Sequence, residues 1–258
     1  MKNITKGAQP DKLLNYQQQN PNNDWDQFRR KKPSYQQVKQ QLLTDQGGLC
    51  AYCEIDLKQA THTTDKDDFR VEHFHPKSDH TTEHNWNLDW NNLLGCCHGG
   101  SRADVAEANL RFTSPDHSCD IPKGNHDWDN HILNPLHLPA FPAVFSFSRS
   151  DGAMSVQEMN CLSAGIDENK AQQTIDLLHL DIAAGRLRRL RKATLDAINA
   201  SLQNELKKGV SVQEARIKLA QRLLRRNADD HWPRFFSAIR SYLGEAAEEQ
   251  LKAINYQG

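Results

Sequence analysis

Cys50-Ala51-Tyr52-Cys53 is the stretch that leaves this chain the fewest choices. Two thiols separated by two residues can grip one ion from a single tight turn, and a tetrahedral structural site needs two more ligands. The chain offers Cys119 as one, and either Cys97 or its neighbour Cys96 as the other. The opening Met1-Lys2-Asn3-Ile4-Thr5-Lys6 lacks the apolar core of a signal peptide. No apolar run approaches the roughly 18 residues of a membrane helix. A cytoplasmic, reducing location is therefore expected, where six cysteines point to metal or packing roles before disulfides. Cys161, apart from the others, reads as a buried thiol packing as a small hydrophobe.

Between the cysteines lie Glu72-His73-Phe74-His75-Pro76-Lys77 and Trp90-Asn91-Asn92-Leu93-Leu94. Cutting a phosphodiester needs a base to activate water and a cation to stabilise developing charge. His73 suits the first task, with an ordinary pKa of about 6.5. Glu72 offers the oxygen ligands a hard cation prefers. A strand would turn it to the opposite face from His73, so a bulge or turn near Pro76 would have to bring it in. His75 shares the strand face of His73. With Lys77 and Lys123 it is a candidate phosphate contact. The net charge is −1, so any nucleic-acid surface must be local.

Four segments of the chain resemble the HNH endonucleases, and within them PtuB, the nuclease partner of Septu antiphage systems, and the retron-associated HNH proteins. Cys50-Ala51-Tyr52-Cys53-Glu54 resembles the opening knuckle, and Glu72-His73-Phe74-His75-Pro76-Lys77 the Glu-His element. Trp90-Asn91-Asn92-Leu93-Leu94 with Cys97 resembles the central asparagine segment, and Cys119-Asp120 through Lys123-Gly124-Asn125 the closing one. The resemblance implies that His73 is the general base and that Asn92 orients the histidine loop through backbone hydrogen bonds. It further implies that Glu72 binds a catalytic divalent cation such as Mg2+, and that Cys50, Cys53, Cys97 and Cys119 hold a structural Zn2+. DNA as substrate and an ABC-type ATPase of the PtuA kind as partner in phage defence also come from it. Two departures stand out. Asp120 occupies a position usually taken by Asn or His, so Asp120, Asn125 or His98 is left as the further cation ligand. Residues 99–118 form an insertion longer than the usual spacing between the last two cysteines.

The fold expected is α+β, mainly α: a small zinc-stabilised ββα-metal module followed by a helical body. Residues 1–48 read as an N-terminal arm and lead-in helix, 49–135 as the nuclease module, and 136–258 as a hairpin and helices. Pro33 suits a helix start and Gly47-Gly48 its stop. Phe69 to Phe74 alternates as a short strand. Residues 61–68, with His62, read as an exposed loop. Ser150-Asp151-Gly152 closes a hairpin. Ser211 and Glu214 have the spacing of a capping box. Arg186, Arg188, Arg189, Arg191 and Lys192, then Arg216, Lys218, Arg222, Arg225 and Arg226, predict exposed basic faces. These suit either a DNA backbone or, across residues 165–258, a docked ATPase. The alternative function is a zinc-stabilised nucleic-acid-binding or scaffolding module without catalysis.

Overall fold

The computed structural model describes residues 1–59 and 66–258. Residues 61–65 of the expected loop, His62 among them, lie outside the described residues. The chain opens with three helices: α1 (Asp11–Gln19), α2 (Trp25–Arg29) and α3 (Lys32–Asp45). Asp24 and Gln27 form a capping box at the start of α2. Pro33 lies in the first turn of α3, where a missing N–H removes no helical bond. Past α3, Gly47 and Gly48 both take positive φ. A side chain there would meet Trp232 and His231 at 2.3 and 2.4 Å, so these glycines let the chain turn directly against the C-terminal segment.

Next come β1 (Arg70–His73) and β2 (Leu93–Cys96), paired antiparallel with His73 opposite Leu93 and Arg70 opposite Cys96. Two short helices follow, α4 (Ala108–Arg111) in the insertion and α5 (Asp120–Lys123) directly after Cys119. A second hairpin pairs β3 (Phe145–Phe147) with β4 (Met154–Val156) around Ser150-Asp151-Gly152. The remainder is helical: α6 (Glu158–Ala164), α7 (Glu168–Leu177), α8 (Arg186–Lys207), α9 (Val212–Leu223), α10 (Phe236–Leu243) and α11 (Glu245–Ala253). Both bonds of the Ser211–Glu214 capping box form at the start of α9. The architecture is mixed α+β and mainly helical. Among the described residues, no helix is long and apolar enough to cross a membrane.

The first residues depart from the expected arm. Met1 and Ile4 are buried in the same apolar cluster as Phe28, Tyr52, Leu195 and Phe236. The Met1 amino group lies 3.4 Å from Glu54 Oε1, and Ile4 N donates to Pro135 O at 3.0 Å. Asn3 and Thr5 both donate to Gln257 O, so the two ends of the chain lie together. A polar composition hid this, because the partners are distant in sequence.

Part of the basic run at the start of α8 also turns inward, although Arg189 stays exposed. Arg191 is buried and donates to Gly152 O at 2.8 Å, Leu180 O at 2.9 Å and Asp181 Oδ1 at 2.7 Å. Arg188 pairs with Asp181 and with Asp151. Arg186 is buried as well. The interface expected at Arg188 and Arg191 is thus occupied by the fold's own carboxylates and carbonyls. The second run differs: Lys218, Arg222 and Arg225 are exposed.

Candidate active site and cysteine cluster

The knuckle is the turn at Ala51–Cys53, set between Leu49 and Asp56, which form an isolated bridge. Cys97 follows directly from β2, and Cys119 takes φ +65 just before α5. The sulfurs of Cys50, Cys53, Cys97 and Cys119 all lie within 4.8 Å of one another, and all four residues are buried. Three of the separations are 3.9 Å (Cys50–Cys119), 3.7 Å (Cys53–Cys97) and 3.7 Å (Cys97–Cys119). A tetrahedron of Zn–S bonds of about 2.3 Å has edges of about 3.8 Å. The donor set and its spacing therefore fit a structural zinc. Of the two adjacent candidates, Cys97 joins the cluster and Cys96 ends β2.

The long insertion leaves the cluster undisturbed because its base is pinched shut. Ser118 N donates to Gly99 O at 2.9 Å and Thr113 N to Gly100 O at 3.0 Å. It is anchored next to that base by Arg111, buried to 1% exposure, which bonds Asp56 and Asp68 at 2.7 and 2.9 Å. An arginine with no apparent role in the motif thereby stitches the insertion to the knuckle.

Among the described residues β1 pairs only with β2, so its other edge is open. A cleft of about 740 Å³ runs there, bordered by Glu72, His73, Lys77, His98 and Asn125, with Arg29, Lys66, Arg70 and Arg102 making it basic. Residues of both strand faces reach an edge, which is how Glu72 and His73 share the cleft without a bulge. His73 is buried to 6% exposure, and its ring meets Trp25 edge-on at 5.0 Å between centroids. Its Nε2 lies 3.0 Å from Asn87 O. A carbonyl only accepts, so Nε2 carries the proton and Nδ1 the lone pair. Burial lowers the His73 pKa to about 3, opposed by the Asn87 carbonyl and aided by the charges of Lys77 and Lys123. The imidazole is therefore neutral at physiological pH.

Glu72 is buried beside Lys123, whose Nζ lies 3.0 Å from Glu72 Oε1, near enough for an ion pair but not aligned for a hydrogen bond. Burial raises the Glu72 pKa, and Lys123 and Arg70 offset only part of this. Asp120 is 1% exposed with Arg70 Nη2 at 2.5 Å from Oδ2, yet neither carboxylate oxygen has an aligned hydrogen bond. Burial and then the charge of Glu72 push its pKa well above the usual carboxylate range. Two buried, mutually repelling carboxylates with unsatisfied oxygens suit a hard cation in donor chemistry. Asp120 sits behind the cleft rather than on its wall, reached through Arg70.

Lys123 is 1% exposed and donates to His73 O at 3.0 Å, so its ammonium holds β1 in place; it is not available as the surface phosphate contact expected of it. Lys77 does border the cleft. Asn92 is buried where β2 begins. Its Oδ1 accepts from His75 N at 2.7 Å, and its Nδ2 donates to His75 O at 3.0 Å and Trp86 O at 2.9 Å. The exit from the histidine strand is thereby clamped. His75 lies beyond the end of β1, away from the His73 cleft. Its two ring nitrogens lie 2.9 Å from Asp129 and 2.9 Å from Asp79, and Trp86 covers it at 4.0 Å. Burial lowers its pKa, but the bonds to Asp129 and Asp79 outweigh that and raise it. Those carboxylates make a poor surrounding for a phosphate.

Replacing Asn92 with alanine leaves two carbonyls and one N–H without their partner. Unsatisfied buried groups cost about 1–3 kcal/mol each, so a loss of about 3 kcal/mol is expected in a urea titration. Cleavage should fall at least ~10-fold, because the segment that follows His73 loses its clamp at His75. Unchanged stability would mean that the loop holds itself.

Sequence comparison puts the chain in the HNH endonuclease family, and it is a nuclease. The relative that carries this is a protein of Escherichia coli whose description reads "Retron Ec83 putative HNH endonuclease". It is 35% identical over an alignment of 219 positions that covers 77% of this chain and 81% of the relative. No family model matches the chain.

Trp25 and Asn87 were not legible as site residues. Asn87 binds His73 through its carbonyl, while its side chain accepts from Trp25 N at 3.2 Å and donates to Lys77 O at 2.9 Å. The N-terminal helix α2 is thus part of the cleft wall. Only the fold brings residue 25 to residue 73.

Proposed function

We propose that the protein is a ββα-metal endonuclease that hydrolyses DNA phosphodiester bonds in the basic cleft beside β1. The observation that carries this is the placement of His73: its Nε2 lies 3.0 Å from Asn87 O, which orients the ring at the wall of a cleft lined by cations. His73 Nδ1 takes a proton from the attacking water. Asn92 keeps the end of β1 rigid, and Lys123 ties β1 to α5 through His73 O. Glu72 and Asp120 would hold a divalent cation, which would supply charge stabilisation to the phosphodiester during hydrolysis. Lys77, Arg29, Lys66 and Arg102 contact the nucleic-acid backbone.

Glu72→Ala tests the cation role. Cleavage of a duplex substrate should fall by about two orders of magnitude, with partial recovery as Mg2+ is raised. Loss with no recovery at any ion concentration would argue that Glu72 positions Lys123 and does not bind the ion.

The wider role is as the nuclease of an antiphage complex with an ABC-type ATPase. Its support is the resemblance to Septu PtuB and the retron relative. The exposed Lys218, Arg222 and Arg225 offer a basic surface for such a partner. An ATPase encoded beside this gene should co-purify with the wild-type protein, and Arg222→Glu with Arg225→Glu should weaken that. A monodisperse, fully active nuclease with no companion would contradict the complex.

A further inference from the structure

Arg186, the first residue of α8, is 3% exposed. Among the described residues no carboxylate lies within ion-pair distance of it. Its single hydrogen bond runs from Nη2 to Ser118 Oγ at 3.0 Å, while Nε and Nη1 are buried with no hydrogen-bond partner. A buried guanidinium left in this way is strongly destabilising unless another negative charge compensates it. Ser118 points to where that charge is: its Oγ accepts from Arg186 and lies 3.7 Å from Cys119 Sγ and 3.5 Å from Gly99 O, the two acceptors between which its one hydroxyl proton is shared. Gly100 (φ +90) makes room on the other side, since a Cβ there would sit 3.2 Å from Arg186 Nε. Four thiolates around one divalent cation carry a net charge of about −2, here at four buried residues, where screening is weaker than at the surface. The other buried arginine of this helix, Arg191, is fully engaged with Asp181 and two carbonyls and offers nothing to the cluster.

We propose that Arg186, acting through Ser118, compensates the charge of the four-cysteine cluster and makes tight metal binding conditional on the seating of helix α8. The proposal rests on reading the cluster as a zinc site. The fold's C-terminal body is then not merely attached to the nuclease half: its longest helix begins as the outer support of the metal. Partners of this kind, which hold or polarise the first ligands, commonly change metal affinity by about 10–100-fold when removed.

The test uses the full chain and zinc itself, with affinity measured at fixed pH by competition against a chromophoric chelator. Arg186→Met keeps the length and removes the charge; it should weaken zinc by roughly 10–100-fold. Ser118→Ala cuts the relay and should weaken it by about 10-fold, whereas Arg186→Lys should retain most of the affinity. Thermal unfolding with excess zinc and with excess chelator separates this from plain packing. A packing role lowers both midpoints equally, while a charge partner shrinks the gap between them. Wild-type zinc affinity in a folded Arg186→Met protein overturns the proposal. If Arg186→Met does not fold, Ser118→Ala decides, and wild-type affinity there overturns it. A wild-type protein that binds no zinc sinks the reading of the cluster instead.

Discussion

Replacing His73 with glutamine is expected to remove cleavage while leaving the fold and the metal content of the cysteine cluster unchanged. Proton transfer by a positioned base contributes about 10²–10⁴-fold, and a loss of that size is expected in single-turnover cleavage. Glutamine is the better first substitution because His73 is buried against Trp25 and donates to Asn87 O. An amide N–H can still serve that carbonyl, and the side chain fills most of the ring's space. Alanine should abolish cleavage as well, with an added stability cost from the cavity and the orphaned carbonyl. The two variants together separate chemistry from packing. The zinc should be unaffected in both, since His73 is not among the residues that converge on the cysteine cluster.

The opposite pattern is expected of Cys53→Ala. A missing thiolate opens the tetrahedron, and structural zinc supplies about 10–16 kcal/mol of apparent binding energy in small folded units. Here the cysteines belong to the same buried cluster as the C-terminal helices. The damage should therefore reach the whole chain and not the knuckle alone. A loss of several kcal/mol corresponds to a fall of at least about 10 °C in the unfolding midpoint for a chain of this size. Zinc content should drop with it, and a strong chelator should reproduce the effect on the unaltered protein. A Cys53→Ala protein with an unchanged midpoint would mean that the cluster packs as thiols.

The parts of this fold that were legible in the sequence are those set by neighbours along the chain. Pro33, the glycines at 47 and 48, the turn at Ser150–Gly152 and the Ser211–Glu214 box each act within a few residues of themselves. Ligand spacing is also local in part, so Cys50 and Cys53 were visible as a pair, while the choice of Cys97 over Cys96 depended on where β2 ends. What stayed hidden depends on partners far away. Periodicity showed arginines on α8 but not Asp181 or the carbonyls opposite Arg191. Lys123 read as a surface cation until β1 was seen packed over it. The N-terminal residues looked like a solvated arm because nothing in their own composition reveals Glu54, Pro135 or Gln257. Asn87 acts through its backbone carbonyl, a group that every residue type possesses.

The most direct measurement puts metal content and cleavage on the same preparations. Wild-type protein and His73→Gln would be purified alike, together with any ATPase that accompanies them, and their zinc determined before Mg2+ and duplex DNA are added. The expected result is equal zinc in both, cleavage by the wild type only when the added cation is present, and no cleavage above background by His73→Gln. Cleavage by His73→Gln at the wild-type rate, with equal zinc and an intact fold, would contradict the assignment of His73 and with it the mechanism.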